Sequence, residues 1–276
     1  MNKTANINLE SQLKGDSYDL AKAFENKKSF IAFLTAGDPD LDATARYIET
    51  MASAGADLIE VGIPFSDPAA EGPVIQAASE RALKAGTTMD KIFDMVENVR
   101  RTVTIPLVFM TYLNPVFVYG AERFFKRCKE LNVRGLIVPD MPFEEKDTLS
   151  EQASAYGVAL ISLIAPTSAQ RIEMIAKEAE GFIYCVSSLG VTGMRKEITT
   201  DIHELVGQIK KYTHVPVAIG FGIAEPAQAE TMARLSDGVI VGSAIVNIIA
   251  KHGAHAEETL REYVSAMKAA AMKGMA

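Results

Sequence analysis

Residues 58–73 read LIEVGIPFSDPAAEGP: an apolar run carrying one acid, a loop with prolines at 64 and 68, then Gly72-Pro73. Alternation along a strand sends Leu58, Glu60 and Gly62 to one face and Ile59 and Val61 to the other, so Glu60 shares its face with core. Pro73 suits the first turn of a helix, where the missing N–H is not needed. The stretch is one strand–loop–helix unit, with a carboxylate in the strand and a second, Glu71, eleven positions later. A lone charge among apolar side chains is costly unless its pKa rises until it takes a proton. Glu60 is therefore either a proton donor or a structural acid paired with a group from another element.

The same unit repeats along the chain. Strands are predicted at Phe30–Thr35, Asp57–Gly62, Pro106–Tyr112, Gly135–Pro139, Val158–Ile164, Gly181–Val186, Pro216–Gly220 and Gly238–Val241. Between them, apolar residues recur at helical spacing, as Leu41, Ala45, Ile48 and Ala52 do within 40–54, and Ile92, Met95, Val96 and Val99 within 88–101. Eight such pairs predict an α/β chain folded as one (β/α)8 TIM barrel over residues 1–276. The competing fold, a doubly wound open sheet, usually carries a Gly-rich fingerprint after its first strand, and Ala36-Gly37-Asp38-Pro39 stands there instead. An amphipathic stretch around Leu13, Leu20 and Phe24 is an extra N-terminal helix expected to cover the barrel floor, and 254–276 reads as a last helix.

The composition is that of a globular protein: 276 residues, 48% hydrophobic, with a net charge of −7. That charge argues against nucleic acid, whose phosphates want a basic surface. No apolar run approaches the length of a membrane span, and the polar start MNKTANINLESQ lacks a secretory pattern, so a cytoplasmic protein is expected. Cys128 and Cys185 stand alone, and the four histidines fall in or beside helical segments, so no metal site is expected.

Barrel active sites form where strands run into the following loops. That rule gathers Glu60, Glu71, Tyr112, Asp140 and Tyr184 on one face, with Asp140 either a helix cap or a substrate contact. Glycine clusters follow the last three strands, at Gly190 to Gly193, Gly220 to Gly222, and Gly242-Ser243. Glycine lets backbone N–H groups approach an anion, and a helix beginning at Ser243 would add its dipole, which predicts a phosphate site.

Ala32-Phe-Leu-Thr-Ala-Gly-Asp-Pro39, the segment from Glu60 to Pro73, Gly190-Val-Thr-Gly193, Gly220-Phe-Gly-Ile223 and Gly242-Ser-Ala-Ile-Val246 together resemble the alpha subunit family of tryptophan synthase, over nearly all of residues 30–251. The resemblance implies retro-aldol cleavage of indole-3-glycerol phosphate to indole and glyceraldehyde 3-phosphate, with Glu60 and Glu71 catalytic. It implies an indole pocket lined by Phe33, Met110, Tyr112 and Tyr184 and a phosphate site made by Gly193, Gly222, Gly242 and Ser243, with Asp140, Thr192 and Phe221 as further expected substrate contacts. It also implies an α2β2 assembly with a beta subunit that receives the indole. Pyridoxal phosphate would belong to that partner and this chain would need no cofactor, while Ile63-Pro-Phe-Ser-Asp67 resembles the interface loop. Two positions depart from the family pattern: Glu71 stands where the family loop has Asp, and Ser188 where it often has Arg. Two other functions fit the residues alone, a different barrel enzyme acting on a phosphorylated substrate and a non-catalytic regulatory subunit.

Overall fold

The computed structural model describes residues 19–186, 202–220 and 222–275. Its strands are β1 (Ser29–Thr35), β2 (Leu58–Gly62), β3 (Leu107–Met110), β4 (Val133–Ile137), β5 (Ala159–Leu160), β6 (Ser162–Ile164), β7 (Ile183–Val186), β8 (Val217–Gly220) and β9 (Gly238–Val241). They form one sheet in the order β5-β4-β3-β2-β1-β9-β8-β7-β6, and all eight pairings are parallel. The two ends of that order, β5 and β6, are halves of one extended segment separated by Ile161. The sheet thus closes on itself as a barrel of eight staves, one of them broken.

The break is the main departure from the predicted strand 158–164. β5 pairs with β4 and β6 pairs with β7. Ile161 keeps its N–H on the Leu136 carbonyl at 2.9 Å while its side chain turns into the barrel interior. One segment serves two neighbours by bending between them.

The helices are α1 (Leu20–Phe24), α2 (Leu41–Ser53), α3 (Pro73–Lys84), α4 (Met89–Val99), α5 (Leu113–Tyr119), α6 (Ala121–Glu130), α7 (Asp147–Ala155), α8 (Ala169–Lys177), α9 (Ile202–Lys210), α10 (Pro226–Leu235), α11 (Ser243–His252) and α12 (Glu257–Lys273). Asp40 and Thr88 accept hydrogen bonds from Ala43 and Lys91 as the N-caps of α2 and α4, which explains why those helices begin where the periodicity does. The links after β2 and β3 each hold two helices rather than one.

Alternation along the strands sorts the core into two layers. Ile59, Val61, Leu34 and Phe109 face the helices, whereas Ile31, Leu58, Val108, Ile137, Phe182, Tyr184, Ala218 and Ile240 fill the barrel. α1 closes the floor with Leu20, Ala23 and Phe24, the last against Phe182 at 5.6 Å between ring centroids. This is the predicted floor helix; Leu13, which was expected to share in it, lies outside the described residues.

Arg100, at the end of α4, is 2% exposed. Its guanidinium donates to the carbonyls of Leu131, Val103, Ile105 and Asn132 at 2.7–3.3 Å, fastening the approach to β3 to the turn before β4. Arg100→Leu should lower unfolding free energy by about 3 kcal/mol in urea denaturation, because several buried carbonyls lose their donor at once.

Candidate active site

Glu60 lies in the inward-facing row of β2, paired in register with Phe33 of β1 and Val108 of β3. It is 1% exposed and its Oε2 has no hydrogen-bond partner among the described residues. Burial, and after it the charge of Glu71, lifts its pKa to about 8. The sequence left open a structural acid paired with an Arg, a Lys or a backbone donor; no ion pair to Glu60 is found among the described residues, and its strongest electrostatic neighbour is another acid.

Glu71 is also buried, at 8% exposure, with its Oε2 likewise unpartnered. Burial lifts its pKa to about 7. The loop folds against the barrel mouth, so both carboxyls are pushed up, Glu60 further.

Three hydrogen bonds fix the backbone around Glu71. Its N–H donates to the Pro68 carbonyl at 3.1 Å, the Ala70 N–H donates to the Tyr112 hydroxyl at 2.9 Å, and the Glu71 carbonyl accepts from the Gln76 side-chain amide at 2.8 Å. Gly72 then caps α3, with Pro73 in its first turn as the sequence predicts. Tyr112 also stacks on Phe65 of the same loop, with centroids 5.2 Å apart.

The apolar wall comes from both sides of the mouth. Phe33, Ile75, Ala78 and Val246 form a cluster that Val74 and Met110 join. Tyr184 stands across the barrel on β7, its hydroxyl held protonated by burial and by the charges of Glu60 and Glu71. Small residues make room for the rings: a Cβ on Gly62 would lie 2.7 Å from the Phe33 ring, and one on Gly220 would collide with Tyr184. Gly220, read from sequence as part of an anion cradle, thus has a packing reason of its own.

Gly242 precedes α11 as an N-cap without a side-chain cap, so the first N–H groups of that helix, at Ser243 and beyond, face the mouth. Gly222 sits at φ +74°, a left-handed conformation that favours glycine. Thr192, Gly193 and Phe221 lie outside the described residues. Asp140 is exposed at the rim, and one of its carboxylate oxygens accepts the Leu113 N–H at 3.0 Å. It caps α5 across the face rather than the segment that follows it.

Ile75, Val246 and Gln76 are members of this mouth that the sequence did not single out. Ile75 and Val246 carried only the signal of helical apolar spacing, and Gln76 carried none.

Comparison with known proteins agrees with this geometry. Residues 20–274 match the family model described as tryptophan synthase alpha chain. The chain is 51% identical to the tryptophan synthase alpha chain of Lacticaseibacillus casei over 251 residues, covering 91% of this chain and 94% of that one. It is 54% identical to that of Lactiplantibacillus plantarum over 253 residues, covering 91% and 96%. Among solved structures, Mycobacterium tuberculosis tryptophan synthase superposes with a TM-score of 0.83 at 31% identity, over 93% of this chain and 99% of that chain. The subunit alpha of Legionella pneumophila tryptophan synthase gives 0.80 at 34% identity, over 95% and 97%. With its closed barrel and its buried pair of acids at the mouth, the chain belongs to the tryptophan synthase alpha chain family.

Proposed function

We propose that this chain performs its family's cleavage of indole-3-glycerol phosphate with Glu60 as proton donor and Glu71 as the group that stabilises the charged ring. The observation that carries this reading is the pair of buried, unpartnered carboxyl oxygens at the mouth, with Glu60 held mostly neutral at pH 7. A neutral acid inside an apolar site has a proton to give.

Protonation of indole C3 puts positive charge on the ring, delocalised to N1. Glu71 in its carboxylate form, which a pKa of about 7 leaves populated at neutral pH, stabilises that charge without itself exchanging a proton. The Glu60 carboxylate left behind then takes the proton of the side-chain hydroxyl. The bond from C3 to the side chain breaks, its electron pair returns to the ring, and indole and glyceraldehyde 3-phosphate separate. Glu60 ends protonated as it began. The cycle asks only for proton transfers and charge stabilisation, so we propose that this chain carries no cofactor of its own.

Phe33, Met110 and Tyr184 would flank the indole, with Tyr112 behind the Glu71 loop and Asp140 holding the rim. The phosphate would sit at the start of α11 on Ser243 and Gly242, with Gly222 beside it. Thr192, Gly193 and Phe221 complete the proposed set from the family resemblance. Indole would pass to a beta subunit bearing pyridoxal phosphate in an α2β2 assembly. Supporting that docking, the same face presents Phe65 on its loop and the exposed Phe117 and Val118 of α5, 49% and 80% accessible. We also propose that residues 1–276 make a single domain and that the protein works in the cytoplasm; no helix among the described residues is long and apolar enough to cross a membrane.

Glu60→Gln keeps the shape and removes the transferable proton. Indole release should fall about 100- to 10,000-fold while glyceraldehyde 3-phosphate still binds; near-parent turnover would remove Glu60 from the mechanism. The same variant tests the burial. A carboxyl with a higher pKa folded than unfolded favours the fold while protonated, fully below about 4.5, and loses that as pH rises through about 8. Glu60→Gln should therefore match the parent near pH 4 and be more resistant to urea at pH 9, by something of the order of 3 kcal/mol.

Gly242→Asp places a carboxylate where the phosphate is proposed to sit and should raise KM at least about tenfold in a protein with parent-like circular dichroism. Unchanged KM would move the phosphate elsewhere. Glu71→Ala should lower kcat by about 100-fold or more while Glu71→Asp stays within about tenfold, since only the former discards the charge. Parent-like rates for both, measured with saturating beta subunit, would remove Glu71 from the mechanism.

A further inference from the structure

The geometry points to Gln76 as a positioning residue for Glu71, holding the backbone on which that carboxyl is aimed. This rests on the catalytic assignment of Glu71 above. The Glu71 carboxyl is buried and its Oε2 has no partner among the described residues. A glutamate turns about three side-chain bonds, so its aim depends on how firmly its Cα is fixed and on the walls around it.

On the N-terminal side that Cα is fixed by the bonds from Ala70 to Tyr112 and from Glu71 to Pro68. On the other side the chain enters Gly72, which has no Cβ to restrict it. Gln76 grips that side twice. Its backbone N–H donates to the Gly72 carbonyl at 3.0 Å as part of α3, and its side-chain amide reaches back to the Glu71 carbonyl at 2.8 Å. The second bond ties the catalytic residue to the rigid helix.

Gln76 itself is exposed on α3, outside every apolar cluster of the core. Packing therefore does not explain a glutamine here, and losing its amide need not unfold the barrel. A single partly buried hydrogen bond is modest in strength, but a carboxylate displaced by a fraction of an ångström stabilises a transition state poorly.

The test replaces Gln76 by methionine, of similar length without the donor, and measures indole release with saturating beta subunit. Gln76→Met should lower kcat about five- to tenfold, leave KM within about twofold and leave the unfolding midpoint at the parent value. In a Glu71→Gln background the same substitution should change kcat less than about twofold, because the group it aims is gone. Equal losses in both backgrounds, an unchanged kcat in the single variant, or a loss accompanied by a lowered unfolding midpoint would each overturn the positioning role. Parent-like turnover in Glu71→Gln alone would instead overturn the assignment of Glu71 on which it rests.

Discussion

Taking the Glu60 carboxyl out of water is the constraint around which the mouth of this barrel is arranged. Inside an apolar wall, with no cation beside it among the described residues and with another acid as its neighbour, the group keeps its proton far above the usual carboxylate range. That state needs a closed barrel, since an open sheet edge would admit water. It needs a sealed floor, which α1 supplies, and a lid of apolar side chains from β1, α3 and α11. The rings of Phe33 and Tyr184 fit over it because glycine stands opposite them.

This arrangement opposes stability. A buried acid with a raised pKa weakens the fold at the pH where the enzyme works, and two such acids together do so more. The rest of the molecule offsets this with conventional means: continuous parallel pairing, a two-layer core and buried ties such as Arg100. In the proposed mechanism, proton-transfer chemistry and the lowest free energy of folding make different demands on one position, and Glu60 follows the chemistry.

The parts of this fold legible in sequence are those set by local period. The alternation Leu58, Glu60, Gly62 against Ile59, Val61 identified the inward row of β2, and the helical spacing in 41–52 and 92–99 identified α2 and α4. What was not legible depends on partners distant in the chain. Nothing near Ile161 marks the bend that lets one segment pair with both β4 and β7. Asp140 read as a cap for its own following segment or a substrate contact, and its carboxylate accepts the Leu113 N–H at the start of α5, 27 residues earlier. The late glycines read as a phosphate cradle, and the structure adds a second cause at Gly220 and Gly242, the volume of aromatic rings facing them. The depth at which Glu71 is buried also escaped the sequence, because a loop's burial depends on what it folds against.

The substitution at position 71 ties these points together. Glu71 stands where the family pattern has Asp, one methylene shorter. The Ala70 N–H, the Glu71 N–H and the Glu71 carbonyl are all engaged where the backbone stands. The carboxyl they carry is buried in the mouth, where its charge helps to raise the pKa of Glu60. A longer acid on a fixed backbone does two things at once. In the mechanism proposed above it serves the ring nitrogen, and its charge adds to the burial that raises the pKa of Glu60. Glu71 thus bears on Glu60 as well as, in that mechanism, on the substrate, and a change of charge on one carboxyl is felt as a change of pKa in the other.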